Sequence, residues 1–251
     1  HLKVLRITGG EPTMSKDTWK LLDYLLEHPQ QGLDIAINTN SCVEKKLIDK
    51  LINKINELAE VGVRVDIYTS LESTGRQAEY ARDGLDYNQW LINTERMLTE
   101  TKSIVAIMTT VNILSLTTFN DFIIKLMELR SRHNERFADN RLPLSINIMH
   151  WPPHLQCTLL DKSERERIAN LIENNCKQWL KYYSEEKFGR IYLEEWDQIQ
   201  RFCNYLRSED PAIEHRSDFV RYIHAYDKRR NKNFKDTFPE YATLLEDWLD
   251  A

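Results

Sequence analysis

Residues 3–12 read Lys-Val-Leu-Arg-Ile-Thr-Gly-Gly-Glu-Pro, and the reading of this stretch decides the fold. Val4, Leu5 and Ile7 make a short apolar run, the pattern of a buried strand. Pro12 ends it, because proline lacks an N–H and has a fixed φ. Gly9 and Gly10 let backbone approach a ligand with no Cβ in the way. Glu11 then sets a carboxylate at the C-terminal tip of a strand, the edge where α/β folds gather their ligands. A carboxylate beside open backbone groups suits a ligand carrying an ammonium group. The competing reading is an ordinary strand-to-helix turn, since two glycines alone are a weak signal.

The pattern continues on the C-terminal side. Residues 15–28 place Trp19, Leu22, Leu25 and Leu26 at helical spacing behind a Ser15 cap, and His28, Pro29 and Gly32 close the segment. Residues 33–37 are a second strand running into Asn38, Thr39, Asn40 and Ser41. That polar cluster is either a ligand edge or an Asx-turn that caps the next helix. Residues 43–61 form an amphipathic helix through Leu47, Ile48, Leu51, Ile52, Ile55 and Leu58. Residues 63–71 are a third strand and 88–101 a helix. Residues 104–111 are a fourth strand ending in Asn112, and 119–131 a helix. Residues 133–141 are polar and charged, hence a loop. Residues 142–150 are a fifth strand, stopped by Trp151-Pro152-Pro153, whose aromatic end either walls a planar ligand or belongs to core and turn.

Strand and helix alternate up to residue 150, which predicts an α/β fold with a parallel sheet and right-handed crossovers. After residue 155 the strands cease, and helices are expected at 163–183, 193–206, 217–228 and 239–249. The expected organisation is a β/α unit over residues 1–154 and a helical C-terminal extension over residues 155–251.

Composition narrows the function classes. Hydrophobic residues at 41% and charged residues at 29% mark a globular chain with a core. A net charge of −5 gives no global reason to expect a nucleic-acid partner. No apolar run approaches the roughly 18 residues of a membrane span. Cys42, Cys157, Cys176 and Cys203 lie far apart, which argues against a disulfide scaffold and fits a reducing, cytoplasmic setting. No Walker loop, Gly-x-Ser-x-Gly, His-Glu-x-x-His or zinc spacing is present. Arg216, Arg221, Lys228, Arg229, Arg230, Lys232 and Lys235 make the C-terminal region locally basic, read as a solvated face ahead of an anion or RNA patch.

Gly-Gly-Glu-Pro between a strand and a helix resembles the second-strand motif of radical S-adenosylmethionine (radical SAM) enzymes. The block Ser70-Leu71-Glu72 followed by Gly75, Ala78-Glu79-Tyr80, Arg82 and Gly84-Leu85-Asp86 is similar to those members with a twitch-type C-terminal extension, although Asp is commoner at the place of Glu72. Residues 218–230, Asn233-Phe234 and Thr237-Phe238-Pro239-Glu240 resemble the C-terminal segment of the same group. The resemblance implies a partial (β/α) barrel in which Gly9, Gly10, Glu11 and Pro12 hold the methionyl amine of S-adenosylmethionine. Asn38, Ser70 and Arg82 would hold its ribose or carboxylate, with Asn112 a further candidate. Arg82 reads alternatively as a surface ion pair with Glu79 or Asp86.

The resemblance further implies a 4Fe–4S cluster on C-x-x-x-C-x-x-C, reductive cleavage to a 5′-deoxyadenosyl radical, a peptide or small-molecule substrate, and an electron donor such as a flavodoxin or ferredoxin. Iron–sulfur clusters need thiolate ligands, and this sequence contains no such cysteine motif. The chain starts at His1 with a strand close behind, so it reads as a fragment whose first strand and cluster cysteines lie upstream. A degenerate homologue that kept the barrel as a binding protein fits the same cysteine count. So does an unrelated (β/α) enzyme using Gly9-Gly10 as an anion-binding turn on a phosphorylated metabolite, though Glu11 would repel phosphate. Cys157, Cys176 and Cys203 are the only candidates for an auxiliary cluster, against the commoner fate of buried free thiols.

Overall fold

The computed structural model describes residues 2–133, 140–181 and 190–249. Its strands are β1 (Val4–Ile7), β2 (Asp34–Thr39), β3 (Arg64–Ser70), β4 (Val105–Val111) and β5 (Leu144–Ile148). They form one sheet in the order β1-β2-β3-β4-β5, and every neighbouring pair is parallel. Parallel neighbours need crossovers. These are α1 (Lys16–Glu27), α2 (Lys45–Glu60), α3 (Gly75–Ala81) with α4 (Tyr87–Glu100), and α5 (Ile113–Leu116) with α6 (Phe119–His133).

The order never reverses, so successive right-handed crossovers place the helices on one face of the sheet. Burial follows the strand period of two. On β3, Val65, Ile67 and Thr69 are buried, whereas Asp66, Tyr68 and Ser70 are only partly covered and Arg64 is exposed. The second face is polar. Arg6 lies 4.8 Å from the Tyr68 ring centre, Asn38 is in register with Tyr68, and Thr110 is in register with Asn147.

Beyond β5 come α7 (Lys162–Lys181), α8 (Leu193–Ser208), α9 (Arg216–Arg230), α10 (Phe234–Thr237) and α11 (Leu244–Asp247). The buried apolar residues of the sheet's helices and of these C-terminal helices form one cluster. Side chains of α8 seal the outer edge of β5: the Leu144 N–H donates to Glu195 Oε1 (2.8 Å) and the Ile146 N–H to Gln198 Oε1 (2.7 Å). An edge strand treated this way cannot take a further strand without losing those bonds. Glu195 is in turn fixed by Arg130, whose side chain is 0% exposed and whose Nη1 donates to Glu195 Oε2 at 2.7 Å.

Three elements differ from the expectation. Residues 239–249 are not one helix but a 3-10 turn, Pro239–Tyr241, followed by α11. Pro239 supplies no N–H, and the chain closes with i→i+3 bonds from Tyr241 N to Phe238 O and Ala242 N to Pro239 O. The helix α3 falls in a block to which the sequence reading gave no element. His133 belongs to α6, and residues 134–139 of the expected loop lie outside the described residues, as do residues 182 and 183 of the helix expected at 163–183.

Candidate functional site

A cleft of about 310 Å³ opens at the C-terminal edge of β1, β2 and β3. Gly9 and Gly10 line it from the tip of β1, Asn38 and Thr39 from β2, Asn40 from just beyond it, and Tyr68 and Ser70 from β3. The turn of residues 82–85 and Cys42 complete the wall. Parallel strands bring these tips together because every strand points the same way.

The glycines are needed for conformation. Gly9 has φ +92° and Gly10 φ +52°, and no atom lies within 4 Å of where a Cβ would sit at either. L side chains rarely adopt such φ, and the turn leaves its backbone facing open space. Ser41 has φ 54° without being glycine, and strained residues of this kind gather at ligand sites.

Glu11 is placed differently from the expectation. It lies at the C-terminal edge but does not line the cleft. Its Oε1 accepts from Thr13 N (3.1 Å), Thr13 Oγ1 (2.7 Å) and Thr39 Oγ1 (2.9 Å), and its Oε2 from Asn40 N (2.8 Å). Oε1 is thus saturated by three donors, and Oε2 holds one. The carboxylate therefore ties the tip of β1 to the end of β2. Pro12 is buried at the start of the 3-10 turn Pro12–Met14 that Glu11 caps, and it too lies behind the wall.

Arg82 lines the cleft, but its carboxylate partner is neither Glu79 nor Asp86. It forks onto Glu72, with Nε to Oε1 at 2.9 Å and Nη2 to Oε2 at 2.5 Å. Glu72's side chain is 4% exposed and that of Arg82 35%, so one end of the pair is anchored and the other meets solvent. Glu79 instead accepts from Tyr87 N (3.0 Å) and Asp86 from Gln89 N (2.9 Å), where it caps α4. Asn112 does not reach the cleft. Its Oδ1 accepts from Leu114 N (2.9 Å) and its Nδ2 donates to Thr110 O (3.1 Å), so its amide is committed to capping α5. Trp151 is 81% exposed, neither core nor a wall of this cleft.

Of the eight predicted residues, the cleft thus gathers Gly9, Gly10, Asn38, Ser70 and Arg82. Sequence reasoning missed Cys42, Tyr68 and Asp83. The Asp83-Gly84 pair was the available signal, a turn dipeptide, and Gly84 has φ +83°. Cys42 is held by the backbone of Asp86, whose N–H donates to Sγ at 3.1 Å.

The Oδ1 of Asn38 is buried and, like six other side-chain oxygens of the described residues, has no hydrogen-bond partner. The cleft itself presents the Gly9-Gly10 turn, Asn38, Ser70 and the cationic fork of Arg82. Metal ligands are another matter. Among the described residues no group of three or more His, Cys, Asp or Glu could hold a metal ion. Cys157, Cys176 and Cys203 are buried, and burial pushes the thiols of Cys157 and Cys203 up to about 12 and that of Cys176 higher still. Among the described residues the three are not gathered into one group of ligands.

A larger groove, about 1030 Å³, opens at the opposite edge beside Gly62 and Lys102. Two of its polar side chains are committed to backbone carbonyls. Arg141 donates to Leu98 O, Thr101 O and Ser103 O, and Asn56 to Glu100 O. Five of the seven basic C-terminal residues are also paired: Arg216 with Asp161, Arg221 with Asp218, Lys235 with Glu246, and Arg230 and Lys232 with Asp83. No described helix is long and apolar enough to cross a membrane.

The fold and cleft together define an α/β protein with a five-stranded parallel sheet and a polar cleft at its C-terminal strand edge. No protein-family model matches the chain, and no curated protein sequence is significantly similar to it.

Proposed function

We propose that the cleft binds S-adenosylmethionine, that the five strands are a partial (β/α) barrel, and that the chain is a radical SAM protein. The observation that carries the reading is the convergence on one cleft of the Gly-Gly tip of β1, Asn38 of β2, Ser70 of β3 and the Arg82 fork. A side-chain amide and a hydroxyl on neighbouring strand tips offer both donors and acceptors to the hydroxyls of a ribose. The Gly9-Gly10 backbone receives the methionyl ammonium, and Arg82 offers the carboxylate its remaining N–H donors. Glu11 serves by holding Thr39 and Asn40 against the glycine tip rather than by gripping the amine itself.

S-adenosylmethionine, when bound beside a reduced iron–sulfur cluster, supplies hydrogen-atom abstraction through reductive cleavage of its sulfonium–carbon bond. The described residues hold no ligand set for that cluster, so the cleft accounts for the nucleoside-binding half of the chemistry alone.

Isothermal titration of the intact chain with S-adenosylmethionine tests the reading. Micromolar binding is expected, weakened about tenfold by Asn38→Leu, the equivalent of one hydrogen bond. Absence of binding at millimolar ligand would overturn it.

A further inference from the structure

The wall of the cleft at residues 82–85 follows directly on α3, a helix of seven residues. So short a helix is not stable alone, and its last carbonyls have no partner within the helix. Residues from the far end of the chain supply them. Lys232 Nζ donates to Glu79 O (2.7 Å) and Tyr80 O (3.2 Å), and the Tyr226 hydroxyl donates to Tyr80 O (2.8 Å). A cation at a helix C-terminus is favourable with respect to the helix dipole as well as to the carbonyls.

The same segment grips the wall itself. Asp83, which lines the cleft, is held by Arg230 Nη1 (2.9 Å) and Lys232 Nζ (3.2 Å). The chain can present both because Asn231, between them, takes the left-handed conformation (φ 51°) that ends α9 and turns Lys232 back. The Tyr80 hydroxyl donates to Asp227 Oδ1 (2.7 Å), whose Oδ2 accepts from Phe234 N (2.9 Å). Tyr80 is 3% exposed and packs against the rings of Tyr226, Phe234 and Phe238. Gln77 Nε2 donates to Thr237 O (3.0 Å). Most of these contacts span about 150 residues of sequence, so they join the C-terminal segment to the cleft rather than serving local structure.

We propose that residues 226–238 are the positioning element of the cleft, and that Lys232 sets ligand affinity through Asp83 and the end of α3. Lys232 does not line the cleft and is a positioning residue. The segment completes α3, α3 presents Arg82, and Asp83 is fixed where it forms the wall. Ligand affinity and docking of residues 226–238 are therefore coupled, each strengthening the other. This inference rests on the cleft being the S-adenosylmethionine site, and its test has an arm independent of that reading.

The first arm is hydrogen exchange on the ligand-free chain. Lys232→Met is expected to speed exchange of amides 79–86 about tenfold, with those of β2 and β3 unchanged. The second arm is a double-mutant cycle in S-adenosylmethionine affinity. Lys232→Met should weaken binding about tenfold in the native background and by a clearly smaller factor, about threefold, when Asp83 is already Asn, because only the contacts to the end of α3 then remain to be lost. A role in stability alone predicts equal losses in both backgrounds, and that result would overturn the proposal. Unchanged exchange at residues 79–86 would overturn it too. Should the parent chain not bind S-adenosylmethionine at all, the ligand reading fails while the exchange arm still decides whether the segment holds the wall.

Discussion

Replacing Glu11 by glutamine separates two roles that the sequence alone cannot tell apart. The two side chains have the same shape, but glutamine offers one oxygen where glutamate offers two. The Oε1 site faces three donors and the Oε2 site faces one, the Asn40 N–H at 2.8 Å. Glutamine therefore keeps its oxygen toward Thr13 and Thr39 and turns its NH2 group on the Asn40 amide, donor against donor. One charge-assisted bond is lost, and the three that remain become neutral. A hydrogen bond to a charged group is worth about 1.5–3 kcal/mol, so a loss of about 2–3 kcal/mol is expected. In a domain of this size that lowers the melting temperature by about 4–12 °C. Thermal unfolding followed by circular dichroism, with a urea titration to check for an unchanged m-value, reads the effect. A variant melting within a degree of the parent would refute the argument that Glu11 braces the β1 and β2 tips.

Three further outcomes are expected. Glu195→Ala strands the fully buried Arg130 guanidinium and frees the Leu144 N–H at the β5 edge, so it should destabilise the chain by about 3–5 kcal/mol, with the isosteric Glu195→Gln losing less; equal stabilities in a urea titration would contradict the buried pair. Ellman's reagent on the native chain should titrate one thiol, Cys42, because the other three are buried, with thiols held in the neutral form; prompt reaction of all four without denaturant would show the α7–α8 core to be open. Hydrogen bonds from Arg207 hold the Glu173 carboxyl below its ordinary range. A carboxyl lowered by folding contributes stability above its unfolded pKa and loses it as the pH falls through the folded one. The stability gap between the parent and Glu173→Gln should therefore be widest near neutral pH and close on acidification; a gap that widens in acid would reverse the assignment.

The parts of the fold legible in the sequence were those governed by local period. All five strands follow runs such as Val65, Ile67 and Thr69, and α2 follows the helical spacing of Ile48, Leu51, Ile52, Ile55 and Leu58, all of them buried. The short helix α3 was not legible because its support comes from Lys232 and Tyr226, more than a hundred residues away. The Glu72 partner of Arg82 is hidden in the sequence for a related reason. Glu79 and Asp86 are nearer in sequence, but they serve backbone amides, and the fold delivers Glu72 from the end of β3. Within the site, the glycine tip, Asn38 and Ser70 could be read because strand ends announce themselves by a change from apolar to polar residues. That Glu11 faces inward to Thr39 and Asn40 could not, since a carboxylate at a strand tip looks the same in sequence whether it meets a ligand or a neighbouring strand.

The most direct test of the central claim is a map of backbone amide chemical shifts as S-adenosylmethionine is added to the labelled chain. The account predicts that the shifts concentrate at Gly9, Gly10, Asn38, Asn40, Ser70 and Arg82, the tips of β1 to β3 and the wall beyond them. Shifts confined to the groove beside Gly62 and Lys102 at the opposite edge, or no shifts at millimolar ligand, would contradict it.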